Sequence, residues 1–147
     1  MEIRTKIAVF CALALMTALT SAQDQRVGTL KSVTGTVHIG QAETSRSAAI
    51  GGGLQQADRL MTGRDASATL MLKDGTVVSV GPNSTLELAK VQFDTTTQQG
   101  HLILDLLQGS VRVITGWLGK LHPGQVKVTT PTSVVGVRGT DFIVEVP

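Results

Sequence analysis

After residue 23 the chain consists of short alternating apolar and polar runs, cut by glycine or polar turns about every ten residues. This rhythm constrains the fold more than any other feature. "VTGTVHI" puts Val33, Gly35, Val37 and Ile39 on one face and Thr34, Thr36 and His38 on the other. "ASATLMLKDGTVVSV" reads as two strands around Asp74-Gly75, a dipeptide that tolerates the positive φ of a tight hairpin. Gly81-Pro82-Asn83 opens another turn, followed by the strand "STLEL". "HLILDLLQGSVRVITG" reads as strand, tight Gln108-Gly109 turn, strand. "QVKVTT" alternates Val126 and Val128 with Lys127 and Thr129, and "DFIVEV" closes the chain. Residues 40–54 read as a flexible loop, and 115–125 as a glycine-rich loop carrying Trp117, Leu118 and Leu121. No stretch between strands is long enough for the helices of parallel α/β units. The expectation is one all-β domain of short antiparallel strands. Sandwich and solenoid both fit the spacing.

The first 22 residues differ in kind. Arg4 and Lys6 precede an apolar run from Ile7 to Leu19, which is shorter than the ~20 residues needed to span a bilayer. Small residues then precede Gln23. This is the pattern of a signal peptide cleaved after Ala22, leaving residues 23–147 as the mature domain. Cys11 lies inside the apolar run rather than at its end, against a lipid anchor. It is the sole cysteine, so the mature chain holds no disulfide. The expected location is the periplasm or outside the cell, with no membrane span after cleavage.

Composition and motifs narrow the function. The formal charge of +2 gives no basic footprint for nucleic acid. Three Phe, one Trp and no Tyr leave little for stacking on sugars or bases. His38, His101 and His122 show no zinc-ligand spacing and are expected at the surface, with no metal or cofactor. There is no G-x-S-x-G elbow, and the carboxylates are scattered among turns and strand faces. Asp105 interrupts "LILDLL": it either faces solvent at a sheet edge or, the preferred reading, pairs with a base such as Arg112 across the expected hairpin. No catalytic residue is expected.

Two stretches remain. "GVRGT" could cradle an anion on its backbone N–H groups and Arg138. The preferred reading is structural: Gly136 and Gly139 permit a bulge or close strand approach, and Arg138 is a buried or half-buried organiser paired with Asp141 or another carboxylate. Trp117, with Leu118 and Leu121, is either an interface anchor or a flap over the core.

"MTGRDASATLMLKDGTVVSVGPNSTLEL", "LLQGSVRV" and "VTTPTSVVGVRGTDFIVEV", in this order, resemble the FecR domain, the periplasmic β-domain of iron-dicitrate sigma-factor regulators and of many stand-alone envelope proteins. The resemblance runs from about Val27 to Val146 and marks Asp74, Gly75, Gly109, Gly136, Arg138, Gly139, Thr140 and Asp141 as motif positions. Ala57-Asp58 stands where the family often has Gly-Asp. The anti-sigma region and transmembrane helix that precede this domain in the regulators have no counterpart here, nor does the further C-terminal module those regulators carry. The resemblance therefore implies an exported, non-enzymatic module that contacts a periplasmic or outer-membrane protein, with a glycan- or peptidoglycan-associated structural role as the alternative. The terminal strand could also pair with a second copy.

Overall fold

The computed structural model describes residues 25–41 and 43–147. The signal-peptide reading of 1–22 lies outside the described residues. Twelve strands follow in order: β1 (Arg26–Thr34), β2 (Val37–Gln41), β3 (Thr44–Ser47), β4 (Gly53–Gln55), β5 (Arg59–Thr62), β6 (Ser67–Leu72), β7 (Val77–Val80), β8 (Thr85–Phe93), β9 (Gly100–Ile114), β10 (Val126–Thr129), β11 (Val134–Gly136) and β12 (Asp141–Val146). One short helix, α1 (Trp117–Leu121), and a 3₁₀ turn (Pro123–Gln125) join β9 to β10.

The fold is all-β, and it is one sheet curled over itself. One leaf runs β4-β1-β6-β7-β9-β12. The other runs β3-β2-β5-β8-β9-β10-β11. Strand β9 crosses both, with residues 100–108 in the second leaf and 109–114 in the first. The expected all-β domain of short, mostly antiparallel strands takes the form of a curled half-barrel. Every pairing is antiparallel except β10 on β9, which is parallel. A parallel neighbour needs a crossover rather than a hairpin, and residues 115–125 supply it. The leaves enclose one core. Alternation puts Leu70, Val78, Leu86, Leu104, Leu106, Val113 and Val128 fully inside it.

The bend follows a line across the strands. Residues 35–36 lie opposite 63–66, these opposite 81–84, and these opposite 109–110. A glycine stands at each crossing: Gly35, Gly63, Gly81 and Gly109. The chain is stitched along this line. Gly63 N–H donates to Thr36 O at 2.9 Å, Asn83 N–H to Gly63 O at 3.0 Å, and Gly81 N–H to Ser110 O at 3.0 Å. Buried Thr62 donates its hydroxyl to Gly81 O at 2.6 Å and accepts Ser84 N–H at 2.9 Å. Buried Ser84 donates its hydroxyl to Pro82 O at 3.0 Å and accepts Ser110 N–H at 3.0 Å. Backbone groups that lose ladder partners at a bend need such substitutes.

Three expectations change here. "VTGTVHI" is two strands, because Gly35 at φ +70 ends β1 and the chain then enters the other leaf. Gln108-Gly109 is no hairpin turn; β9 runs through it. Residues 40–54 are no free loop, since β3 lies within them and β4 begins there. The departure at Ala57 has a physical cost: it sits at φ +70, where a side chain is strained by about 1–2 kcal/mol.

Gly109 needs its missing side chain. It has φ +91, and an added Cβ would lie 2.1 Å from Ser84 Oγ and 2.5 Å from Ser84 Cα. Gly136 has open space at that point. Gly109→Ala should therefore lower unfolding free energy by about 3 kcal/mol, and Gly136→Ala should change it by less than about 0.5 kcal/mol. Urea denaturation of the two variants checks the contrast.

Candidate functional site

The site builds outward from the β6–β7 hairpin. Gly75 takes φ +82 at its tip, as the turn requires. The buried Asp74 carboxylate accepts Thr76 N–H at 3.0 Å and the Thr76 hydroxyl at 2.7 Å. That ties down the tip and leaves two acceptors for the chain that follows β9. Asp74 O takes Trp117 N–H at 2.9 Å, and Thr76 Oγ1 takes Gly116 N–H at 3.0 Å. The approach is so close that a Cβ at Gly116 would lie 2.2 Å from Asp74 O.

On its other side the same segment holds the β11–β12 connection. Thr115 N–H donates to Thr140 O at 2.9 Å, and its hydroxyl to Gly139 O at 3.1 Å. Residues 115–117 are thus clamped between Asp74 and Thr76 on one side and Gly139-Thr140 on the other, and α1 starts from that clamp. Residues the sequence places in three separate motifs meet here. Gly109 stands apart, on the fold line.

The helix divides its apolar residues. Leu118 is 1% exposed and belongs to the core, so it is not available as an interaction residue. Trp117 and Leu121 are 56% and 46% exposed. They are four apart, on one helical face. The expected loop is thus a platform, anchored by Leu118, with two apolar side chains outside.

Two clefts flank the connection. One, of about 500 Å³, separates β12 from residues 130–137 and contains Val135, Phe142 and Val146, each half-buried. The other, of about 920 Å³, runs along the 3₁₀ turn and carries the exposed cations Lys120, Lys127 and Arg138. Lys120 and Lys127 were not legible as site residues, because only the crossover and the parallel β10 bring them beside Arg138.

Several site expectations are revised. Arg138 is exposed, not buried or half-buried, and makes no hydrogen bond or ion pair among the described residues. Gly136 and Gly139 face open space, so close strand approach does not explain them. The segment does change direction, as a connector from one leaf to the other. Asp141 pairs with Arg112, whose Nε donates at 2.9 Å and Nη2 at 2.5 Å in a bidentate fork. Asp105 is half-buried opposite Glu87 and Thr129, on the same strand as Arg112 rather than across from it. His38 and His101 are exposed, while His122 is half-buried before the 3₁₀ turn. Among the described residues no group of His, Cys, Asp and Glu could hold a metal ion, and no helix is long and apolar enough to cross a membrane.

The Arg112 hydrogen bonds hold the Asp141 carboxyl below its ordinary value, against an opposing desolvation and with lesser help from the Arg112 charge. The same bond and charge raise Arg112 above its own. A depressed carboxylate stabilises the fold above its unfolded pKa, and that contribution fades as pH falls through the lowered value. Asp141→Asn should lower the urea midpoint at pH 7. The difference from the unaltered protein should shrink as pH drops below the ordinary aspartate value of about 3.9. A gap that persists unchanged at low pH would show that the pair is not its source.

Comparison with known proteins adds the family. No curated protein matches the sequence. One solved structure, titled "Cell surface anchoring domain", is similar at 25% identity and a TM-score of 0.40, covering 42% of this chain and 83% of that one. A score that low carries no argument about fold or role. The family described as "FecR protein" matches residues 58–146, from the turn after β4 to the end of β12. The match starts later than Val27, although β1–β4 belong to the same sheet. With more than half its length matched, this chain belongs to the FecR family.

Proposed function

We propose that this protein is a non-enzymatic interaction module of the bacterial envelope, exported to the periplasm or beyond, that binds another protein through the α1 platform. The carrying observation is the exposure of Trp117 and Leu121 on a helix whose other apolar residue, Leu118, is sunk in the core. An exposed tryptophan on a fixed support is the kind of anchor that concentrates binding energy. Two clamps hold the support, so little ordering entropy opposes binding. Family membership and the signal-peptide pattern support the envelope setting. The sparse aromatics weigh against a glycan-binding role.

The test is capture from envelope extract on the immobilised protein, before and after muramidase digestion. A protein retained in both conditions, and lost with Trp117→Ala, is the expected result. That substitution should cost about 2 kcal/mol of affinity, roughly thirtyfold, while moving stability by less than about 0.5 kcal/mol. Retention of glycan fragments alone would contradict the proposal.

A further inference from the structure

The curled sheet has two margins, and they are treated differently. At one, residues 48–52 bridge the leaves. Ala48 N–H donates to Val37 O in β2 at 2.8 Å, Gly51 N–H to Leu30 O in β1 at 2.9 Å, and Leu30 N–H to Gly52 O at 3.0 Å. The other margin, between β11 and β12, is spanned at one end by residues 137–140 and has no hydrogen-bonded bridge along its length among the described residues. Among the described residues, β12 pairs only with β9, and β11 only with β10. The cleft of about 500 Å³ lies between them. Phe142 and Val146 on the inner face of β12 are half-buried, as is Val135 across the cleft, and so are Val33, Ala48 and Phe93 at other edges of the core.

The outer side of this margin carries a charge pattern. Arg138 precedes β12, and Glu145 lies near its end. Both are exposed, and neither is ion-paired among the described residues. Asp141, between them, is already held by Arg112. The edge is therefore positive at one end and negative at the other, with exposed Ile143 between. The charges are at most about 23 Å apart along an extended chain. A free strand edge of unpaired backbone groups accepts an extended segment by strand addition, with side chains setting specificity.

We propose that β12 is a docking edge for an extended segment of another protein. The segment alternates apolar side chains, which enter the cleft beside Phe142, Val146 and Val135, with polar ones. It carries an acidic residue at the end that meets Arg138 and a basic residue at the end that meets Glu145. A second copy of β12 fits less well. Antiparallel pairing about Ile143 sets Asp141 opposite Glu145 twice, and like charges directly opposed destabilise a pair. The proposal rests on the protein-interaction reading above and adds a second surface to it.

The probe is a pair of synthetic heptapeptides alternating valine and threonine, with aspartate at one end and lysine at the other, in both orders. One order should bind one-to-one and at least about tenfold more tightly than its reverse. Glu145→Lys should remove that preference, whereas Trp117→Ala should leave it intact. Methylating alternate amides should abolish binding when placed along one side of the peptide and spare it along the other, because an edge pairs with one side only. Equal binding of both orders, indifference to methylation, or a protein that sediments as a β12-paired dimer and takes up neither peptide would overturn the proposal. If peptide binding fails while Trp117-dependent capture persists, only the docking edge is lost.

Discussion

The structure depends on how its sheet turns back on itself without stranding backbone groups in the core. The hydroxyls of Thr62 and Ser84 carry that burden. Each donates to a turn carbonyl and accepts a backbone N–H, so together they join β5, the β7–β8 turn and β9 across the fold line. An unpaired buried polar group costs about 1–3 kcal/mol. Among the described residues no buried side-chain nitrogen or oxygen lacks a partner. The glycines at the crossings let the strands come close enough for the relay; at Gly109 the Ser84 side chain occupies the space a Cβ would need.

Everything that matters at the surface follows from that bend. Because β9 runs through both leaves, the chain leaving it at Thr115 emerges beside the β6–β7 hairpin tip. Asp74 and Thr76 can then hold Gly116 and Trp117. Because β10 returns parallel to β9 in one leaf and β12 antiparallel in the other, residues 137–140 must cross between leaves. They cross against Thr115. The platform, the basic cleft and the open margin are consequences of one topology.

Much of this was legible, and the failures have physical causes. Alternation located the strands of "ATLML", "VVSV" and "VKV" and their inward faces, because a half-buried strand must repeat every two residues. Asp74-Gly75 gave its hairpin, because the turn demands positive φ there. Glycine misled at Gly35 and Gly109. The same freedom serves a chain reversal and a bend in a continuing strand, and local sequence does not separate them. The 40–54 stretch reads as loop because its strands are short edges: β3 is polar and exposed throughout, and β4 puts a single apolar residue, Leu54, into the core. Trp117 and Leu118 could not be told apart without the helix that turns one outward and one inward. The Arg112–Asp141 pair needed knowledge that β12 returns to β9; both residues lie at outward positions of alternating strands, the one signal available. Family resemblance found the right domain but said nothing of the open margin.

One bent sheet, locked along its fold line, holds one margin open. Native-state amide hydrogen exchange on the protein tests it residue by residue. The account predicts that the amides of Ser84 and Ser110, on the fold line, exchange only by global unfolding. In β12, amides directed at β9 should be protected and those on the outer side should exchange as exposed groups. Fast exchange at Ser84 and Ser110, or uniform protection along both sides of β12, would contradict it.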